Sequence, residues 1–272
     1  GVTVQPAPVL DGVAPHMRKY FGLEGREPIE PVDVAEALKA SGADMVINYL
    51  PVGSYQASRF YAEAALKAGC AFINAIPEFI ASDTEWGNKF KEAGIPIAGD
   101  DIKSQVGATI LHRTLTELLA SRGVKIEETY QLNIGGNTDF LNMMDESRLK
   151  SKRISKTEAV TSLLSYEIPV RIGPSDYVEF LKDRKICYIY IKGRKFGDVP
   201  LTIDVKLSVE DSPNSAGIMV DVIRAVKIAI DREIGGPLIS ISAYAFKHPP
   251  QQVPDYIARQ WVEEFIQGKR ER

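Results

Sequence analysis

Lys152, Lys156, Lys185 and Lys247, together with Asp101, Asp139, Asp183 and Asp211, fall where the apolar pattern ends a strand or a helix. Ser151-Lys152 and Ser155-Lys156 repeat at a spacing of four, so on a helix the two lysines share a face, one turn apart. Ammonium groups at that spacing repel in isolation but are favoured if an anion such as a phosphate sits between them, and the two serines add hydroxyl donors. Lys247 lies in the apolar stretch Ala243–Pro250. Desolvation there would lower its pKa and make it a usable base. No Ser/His/Asp or Cys/His set accompanies these groups. Lysine is therefore the favoured acid and base, and the expected ligand is polyhydroxylated and anionic.

Each segment also has a plainer reading. Gly99-Asp-Asp-Ile-Lys-Ser104 follows a strand directly and could hold a hydroxylated ligand or a cation, or be a solvated loop that caps the next helix through Ser104. In Asn133-Ile-Gly-Gly-Asn-Thr-Asp139 the glycines permit positive φ and close approach to a ligand, while Asn137 and Asp139 supply polar groups; a simple glycine turn reads the same. The Ser-Lys repeat could be a solvated basic patch. Asp183 and Lys185 share one side of an extended segment, and Asp211 could bond ligand hydroxyls while Asn214 or Ser215 caps a helix. His112 reads as structural, and Cys70 and Cys187 as small core hydrophobes.

These residues must be positioned by two kinds of element. The first hundred residues alternate helix and strand. A helix opening at Pro31 ends at Ser41-Gly42, and strands 44–50, 70–74 and 95–98 alternate with helices at 55–68, capped by Ser54, and from Asp83 to Gly94. Continuous apolar strands between amphipathic helices predict a parallel sheet covered on both faces. After Ser104 a long helix from about Val106 to Leu119 precedes long alternating strands at 127–134, 186–192 and 201–209, the pattern of an antiparallel sheet with one covered face. Helices at 214–232 and 254–267 follow. The expected division is 1–104 with 248–272 as one domain and 105–247 as an inserted catalytic and oligomerisation domain.

The chain has 272 residues and a net charge of −3, with two cysteines and three histidines. That balance offers nothing to nucleic acid or a membrane surface, excludes a disulfide scaffold and disfavours a Cys/His zinc site. No transmembrane run or signal peptide is evident, so the cytoplasm is the default compartment. The Gly-x-Gly-x-x-Gly turn of a dinucleotide fold is absent, and the sequence starts at Gly1 without a Met. The expectation is that the opening unit is missing and that the active protein contains it, upstream or on a companion segment.

The motifs Tyr49-Leu-Pro-Val-Gly-Ser54, Gly99-Asp-Asp-Ile-Lys-Ser-Gln-Val-Gly-Ala-Thr109, Asn133-x-Gly-Gly-Asn-x-Asp-Phe140, Ser151-Lys-x-Ile-Ser-Lys156, Gly173-Pro-Ser-Asp-Tyr177 and Asp211-Ser-Pro-Asn-Ser-Ala-Gly217 occur in this order. As a set they resemble the inositol-3-phosphate synthases of the shorter prokaryotic type, across essentially the whole chain. The resemblance implies an α/β fold, a Rossmann-like NAD-binding domain (here incomplete at its start) with an inserted α+β domain. It implies oxidation of glucose 6-phosphate at C5 by NAD, enolisation, aldol closure between C6 and C1, and re-reduction. Lys247 and Lys152 would serve the proton transfers at C5. Lys156 and Lys185 would hold the substrate and stabilise the oxyanions, with Asp183 also in the catalytic set. Asp101, Asn137, Asp139 and Asp211 match positions near the nicotinamide end of NAD, and Leu50, Pro51, Val52, Ala75, Ile76, Ser104 and Ser212 match cofactor-contacting loops. The family also implies tetramers through the sheet of the inserted domain and, in prokaryotic members, a divalent or monovalent metal ion, for which the sequence shows no private motif. Two other readings compete: a Rossmann-type dehydrogenase of another polyol or amino acid, and an inactive fragment able only to assemble. The four lysines argue against simple dehydrogenation, which needs one base.

Overall fold

The computed structural model describes residues 3–21 and 30–272, apart from the side chains of residues 150, 152 and 153. After the short helix α1 (Arg18–Phe21), four parallel strands, β1 (Met45–Asn48), β2 (Ala71–Asn74), β3 (Pro96–Ala98) and β8 (Gly236–Pro237), form a sheet in the order β1-β2-β3-β8. Phe72 and Ile97 pack on one face with Ala62, Ala65 and Phe90 from α3 (Tyr55–Ala68) and α4 (Thr84–Glu92). Ile73 and Ala98 pack on the other with Val222, Val226 and Phe265 from α8 (Asp211–Asp231) and α10 (Asp255–Ile266). Burial of both faces explains why these strands are apolar without alternation.

The second sheet has the order β5-β4-β6-β7, formed by β4 (Lys125–Gly135), β5 (Val170–Tyr177), β6 (Arg184–Arg194) and β7 (Pro200–Glu210). Cys187, Ile189 and Ile191 point to α5 (Ala108–Ser121), while Tyr190 on the opposite face stacks on Tyr130 with ring centroids 5.0 Å apart. That is the period-2 pattern of one covered face. β4–β6 and β6–β7 are antiparallel, but β5 lies parallel to β4, so the sheet is mixed rather than antiparallel. The intervening helix α7 (Lys150–Thr161) makes the crossover that a parallel pair requires.

The return to the first domain was expected at 248, and the packing before that point bears on the boundary. α8, β8 and α9 (Ile239–Ala245) already belong to the first sheet, because the apolar stripe of α8 docks on β2 and β3 and Gly236–Pro237 pairs with β3. A two-residue strand is too short to announce itself by periodicity.

Local signals place most helix ends. α2 (Val34–Ser41) starts at Asp33, whose carboxylate accepts from Glu36 N at 3.1 Å, rather than at Pro31. Asp83 caps α4 as expected, accepting from Trp86 N at 3.0 Å. Ser54 precedes α3 but makes no side-chain cap; the Asp11 carboxylate accepts from Gln56 N at 3.1 Å and Ala57 N at 2.8 Å in its place. Ser104 and Asn214 are not caps either: α5 begins after Gly107, α8 begins after Glu210, and Asn214 bonds both backbone groups of Val106. His112 is fully buried on α5 between Thr129 Oγ1, at 2.8 Å, and Gln131 Oε1, at 3.3 Å.

Two outcomes are expected. Asp11→Ala should cost about 1 kcal/mol of stability through the α3 cap, seen as a lower melting temperature. Burial pushes the His112 pKa down to about 4 from the ordinary 6.5. The folded state thus keeps the ring neutral while the unfolded state protonates it. Stability contributed by the neutral ring is full above pH 6.5 and is lost as pH falls towards 4, on the order of 3 kcal/mol in total. Denaturant titrations at pH 7 and pH 4.5 should show a smaller pH-dependent loss in His112→Gln than in the parent.

Candidate active site

The carboxyl ends of β1, β2 and β3 face the second sheet across a cleft of about 590 Å³. Ligands in open α/β sheets bind at this edge. From the first sheet come the loops 49–53, 75–77 and 101–104; from the other side come the turn 137–139, Lys156 on α7, Lys185 at the start of β6 and the first turn of α8. Leu50, Pro51, Val52, Ala75, Ile76, Asp101, Ser104, Asn137, Asp139, Lys156, Lys185, Asp211, Ser212 and Lys247 all line it.

Two adjacent carboxylates leave β3 with opposite destinations. Asp100 is fully buried and accepts from the backbone N–H groups of Ile80, Ala81 and Ser82, from Ser82 Oγ and from Asn74 Nδ2, which secures the loop after β2. Burial raises its pKa, and those hydrogen bonds oppose the rise. Asp101 adopts a left-handed backbone with φ 61°, which Asp tolerates, and turns its carboxylate towards the cleft. It accepts from Lys247 Nζ at 2.7 Å and from Ser155 Oγ.

Lys247 also donates to Ile102 O at 2.6 Å. The backbones of 100–103 and 245–248 run side by side, with Lys247 N bonded to Asp101 O and Lys103 N to Ala245 O, each at 2.7 Å. Lys247 is therefore a half-buried, ion-paired lysine rather than a merely desolvated one. Burial lowers the pKa of another lysine, Lys103, to about 8. It donates to Ala243 O and Asp255, away from the cleft, and anchors the start of α10.

On the opposite wall, Lys185 Nζ lies 2.9 Å from Asp211 Oδ1 and 5.8 Å above the Phe140 ring. Asp183 does not line the cleft. Its Oδ1 accepts from Asn137 Nδ2 at 3.1 Å and Ser212 Oγ at 2.7 Å, and its Oδ2 accepts from Ser212 N at 3.0 Å. Burial pushes its pKa up, but hydrogen bonds from Ser212 and Asn137 outweigh that and hold it below the usual carboxylate range. Asp183, expected in the catalytic set, thus stands behind the cleft and holds two residues that line it, Asn137 and Ser212.

Lys156 is 5% exposed and enters the cleft. Helix α7 puts position 152 one turn before it, but the Lys152 side chain lies outside the described residues. The two serines part company with the expected arrangement, since Ser155 is committed to Asp101. Gly135 and Gly136 are needed for space rather than for positive φ, which neither has. A Cβ on Gly136 would collide with Val178 O and Lys182 N, and one on Gly135 with the Phe140 ring.

A smaller polar cavity of about 30 Å³ extends the lysine end of the cleft. It is bounded by Ser104, Gly107, Ala108 and Thr109 at the N-terminus of α5, and shares Lys156, Lys185 and Lys247. Unpaired N–H groups of a helix start, facing three ammonium groups, favour an anion. No group of three or more His, Cys, Asp or Glu that could hold a metal forms among the described residues.

The sequence model for myo-inositol-1-phosphate synthase matches residues 107–212. The inositol-3-phosphate synthase of Mycobacterium tuberculosis H37Rv is 56% identical over 98% of this chain and 73% of its own length. The chain belongs to the inositol-3-phosphate synthase family. A second family member, from Corynebacterium glutamicum, is 54% identical over 98% of this chain and 75% of its own. Among solved structures, a myo-inositol-1-phosphate synthase-related protein from Thermotoga maritima superposes with a TM-score of 0.76 at 27% identity, covering 90% of this chain and 75% of that one.

The sequence of this synthase-family chain pointed to the cleft residues but not to their supports. Arg148, Asn142 and Asn133 border or brace the cleft and carry no spacing signal; Asp100 was legible only as half of a pair. Asp183→Ala should cost about 1–2 kcal/mol in stability, through loss of the bonds to Asn137 and Ser212. If Asp183 only positions, Asp183→Asn, whose amide oxygen can still accept from Asn137 and Ser212, should recover most of that stability and of the turnover; recovered stability with depressed turnover would mark a carboxylate that takes part in the chemistry, and parallel melting and turnover measurements check this.

Proposed function

We propose that this protein is an inositol-3-phosphate synthase that turns D-glucose 6-phosphate into 1D-myo-inositol 3-phosphate with NAD as a recycled cofactor. The observation that carries the reading is one cleft in which Lys156, Lys185 and Lys247 converge on the N-terminus of α5, opposite apolar loops at the carboxyl ends of a parallel sheet. The phosphate of the substrate fits the small cavity, where Thr109, Ser104 and the α5 N–H groups are donors. The sugar chain then extends past Lys185 and Lys247 into the larger cleft.

The loops Leu50–Val52 and Ala75–Ile76 suit the flat faces of a nicotinamide, and Asp101, Asn137, Asp139, Asp211, Ser212 and Ser104 lie within the same cleft to hold its ribose. When bound there, NAD supplies the acceptor and later the donor of the C5 hydride. The protein's own groups do the rest. Lys247 Nζ, backed by Asp101, is the group to hold and return the C5 hydroxyl proton, with Lys152 as its partner by family resemblance. Lys156 and Lys185 place fixed positive charge where the enolate and the aldol alkoxide develop, and such charge acts most strongly in a water-poor cleft. The Asp211 carboxylate holds Lys185 in place. No step is assigned to a metal.

Assembly as a tetramer through the second sheet accords with an outward face carrying the exposed Tyr130 and Tyr188, the half-buried Tyr190 stacked on Tyr130, and the edge strand β7. A cytoplasmic setting completes this reading; no helix among the described residues is long and apolar enough to cross a membrane.

The test is incubation of purified protein with glucose 6-phosphate and NAD. Inositol phosphate should form without net accumulation of NADH, because the hydride returns. Stoichiometric NADH without a cyclic product would mean a simple dehydrogenase. Lys156→Met and Lys152→Ala should each lower turnover by more than about tenfold, as expected for one charge-assisted contact of about 1.5–3 kcal/mol. Their melting temperatures should stay close to that of the parent. Normal turnover in Lys152→Ala would remove Lys152 from the catalytic set.

A further inference from the structure

The loop that follows β1 is held from across the cleft. The carbonyl oxygen of Val52 accepts from Asn142 Nδ2 at 2.9 Å and from Arg148 Nη1 at 3.4 Å. The other end of the same guanidinium, Nη2, donates to Gly12 O at 3.0 Å and Asp11 O at 3.3 Å. Arg148 is 9% exposed, ends a 3-10 turn at Glu146–Arg148 and stands two residues before the start of α7. The neighbouring Leu149 is buried with Phe140 and Met143, so the start of α7 cannot swing without moving Arg148.

The fit is close on the loop side as well. Gly53 has φ +90°, and a Cβ there would sit 2.7 Å from Arg148 Cγ. The turn and the arginine stem occupy adjoining space that no larger residue leaves free. Asp11, whose carbonyl Arg148 holds, caps α3 with its own carboxylate. One planar guanidinium thus gathers carbonyls from two segments of the first module, and a lysine cannot copy its fork of donors. Arg148 does not line the cleft, whereas Leu50, Pro51 and Val52 line it on one side and Lys156 on the other.

We infer that Arg148 is a positioning residue that couples the two halves of the site: it ties the Leu50–Val52 loop to helix α7, so that a nicotinamide cofactor on the loop and a sugar phosphate at Lys156 each strengthen binding of the other. The inference rests on the reading of the cleft as an NAD and sugar-phosphate site. Its physical basis is shared ordering. A ligand that fixes the loop also fixes, through Arg148, the start of α7, and the second ligand then meets a wall already in place.

The experiment measures the Kd of NAD by calorimetry with and without saturating 5-deoxyglucose 6-phosphate, which lacks the hydroxyl to be oxidised and cannot turn over. In the parent protein the sugar phosphate should tighten NAD by about tenfold, within the range usual for coupled sites, and NAD should tighten the sugar phosphate by the same factor. In Arg148→Lys and Arg148→Met that ratio should fall close to one. Gly53→Ala displaces Arg148 from the loop side and should do the same, which keeps the test open if Arg148→Met fails to fold. A ratio near one in the parent, or a parent-like ratio in any folded variant, overturns the coupling while leaving NAD binding intact. No NAD binding by the parent is a different result: it removes the cofactor reading itself and the coupling with it.

Discussion

The Asp101 carboxylate, with only 3% of the residue in contact with solvent, is tolerable because Lys247 Nζ and Ser155 Oγ both donate to it. An ionised carboxylate so far from water costs several kcal/mol unless close donors offset the loss. The donors come from different places: Lys247 from the segment after α9, Ser155 from α7 in the second module. The electrostatic need of one buried group therefore brings the end of β3, the end of α9 and the lysine helix to one point. Lys156, the next residue along α7, lines the cleft beside that bond. Breaking the pair would leave an uncompensated charge in the wall of the site, not merely a missing contact.

A division of labour follows among acids that look alike in sequence. Asp100 and Asp183 have their oxygens filled by backbone and side-chain donors of the protein, so they set the shape of loops. Asp101 and Asp211 each hold a lysine at the cleft, so they set the placement of ammonium groups. Asp255 performs the equivalent task for Lys103 and Arg113 away from the chemistry. A reaction that develops negative charge at successive carbon and oxygen atoms needs fixed cations, and cations stay fixed at close quarters only if carboxylates stand behind them. The abundance of both types around one cleft accords with the reaction proposed for it.

Much of this was legible in the chain. The apolar runs and Gly or Asp helix ends of the first hundred residues marked β1 to β3 and α2 to α4, because capping and two-faced burial are local demands that spacing records. The alternation of Cys187, Ile189 and Ile191 with Tyr188 and Tyr190 marked a sheet with one covered face for the same reason. Lysines and aspartates at element ends pointed to the residues that line the cleft, since strand ends in such a fold gather at one edge.

The sequence by itself determined which groups are available to the site and on which kind of element each rides. Only the tertiary structure decided which of them face the cleft. The parallel placement of β5, the early return of α8 to the first sheet, the replacement of Ser54 by Asp11 as the cap of α3, the withdrawal of Asp183 behind Asn137 and Ser212, and the grip of Arg148 on Val52 all join residues distant along the chain. Periodicity and capping report a residue's relation to neighbours within a turn or a strand. The destination of a carboxylate or a guanidinium depends on which donors and acceptors packing brings within about 3 Å of it, and that is set only when the sheets and helices close on one another.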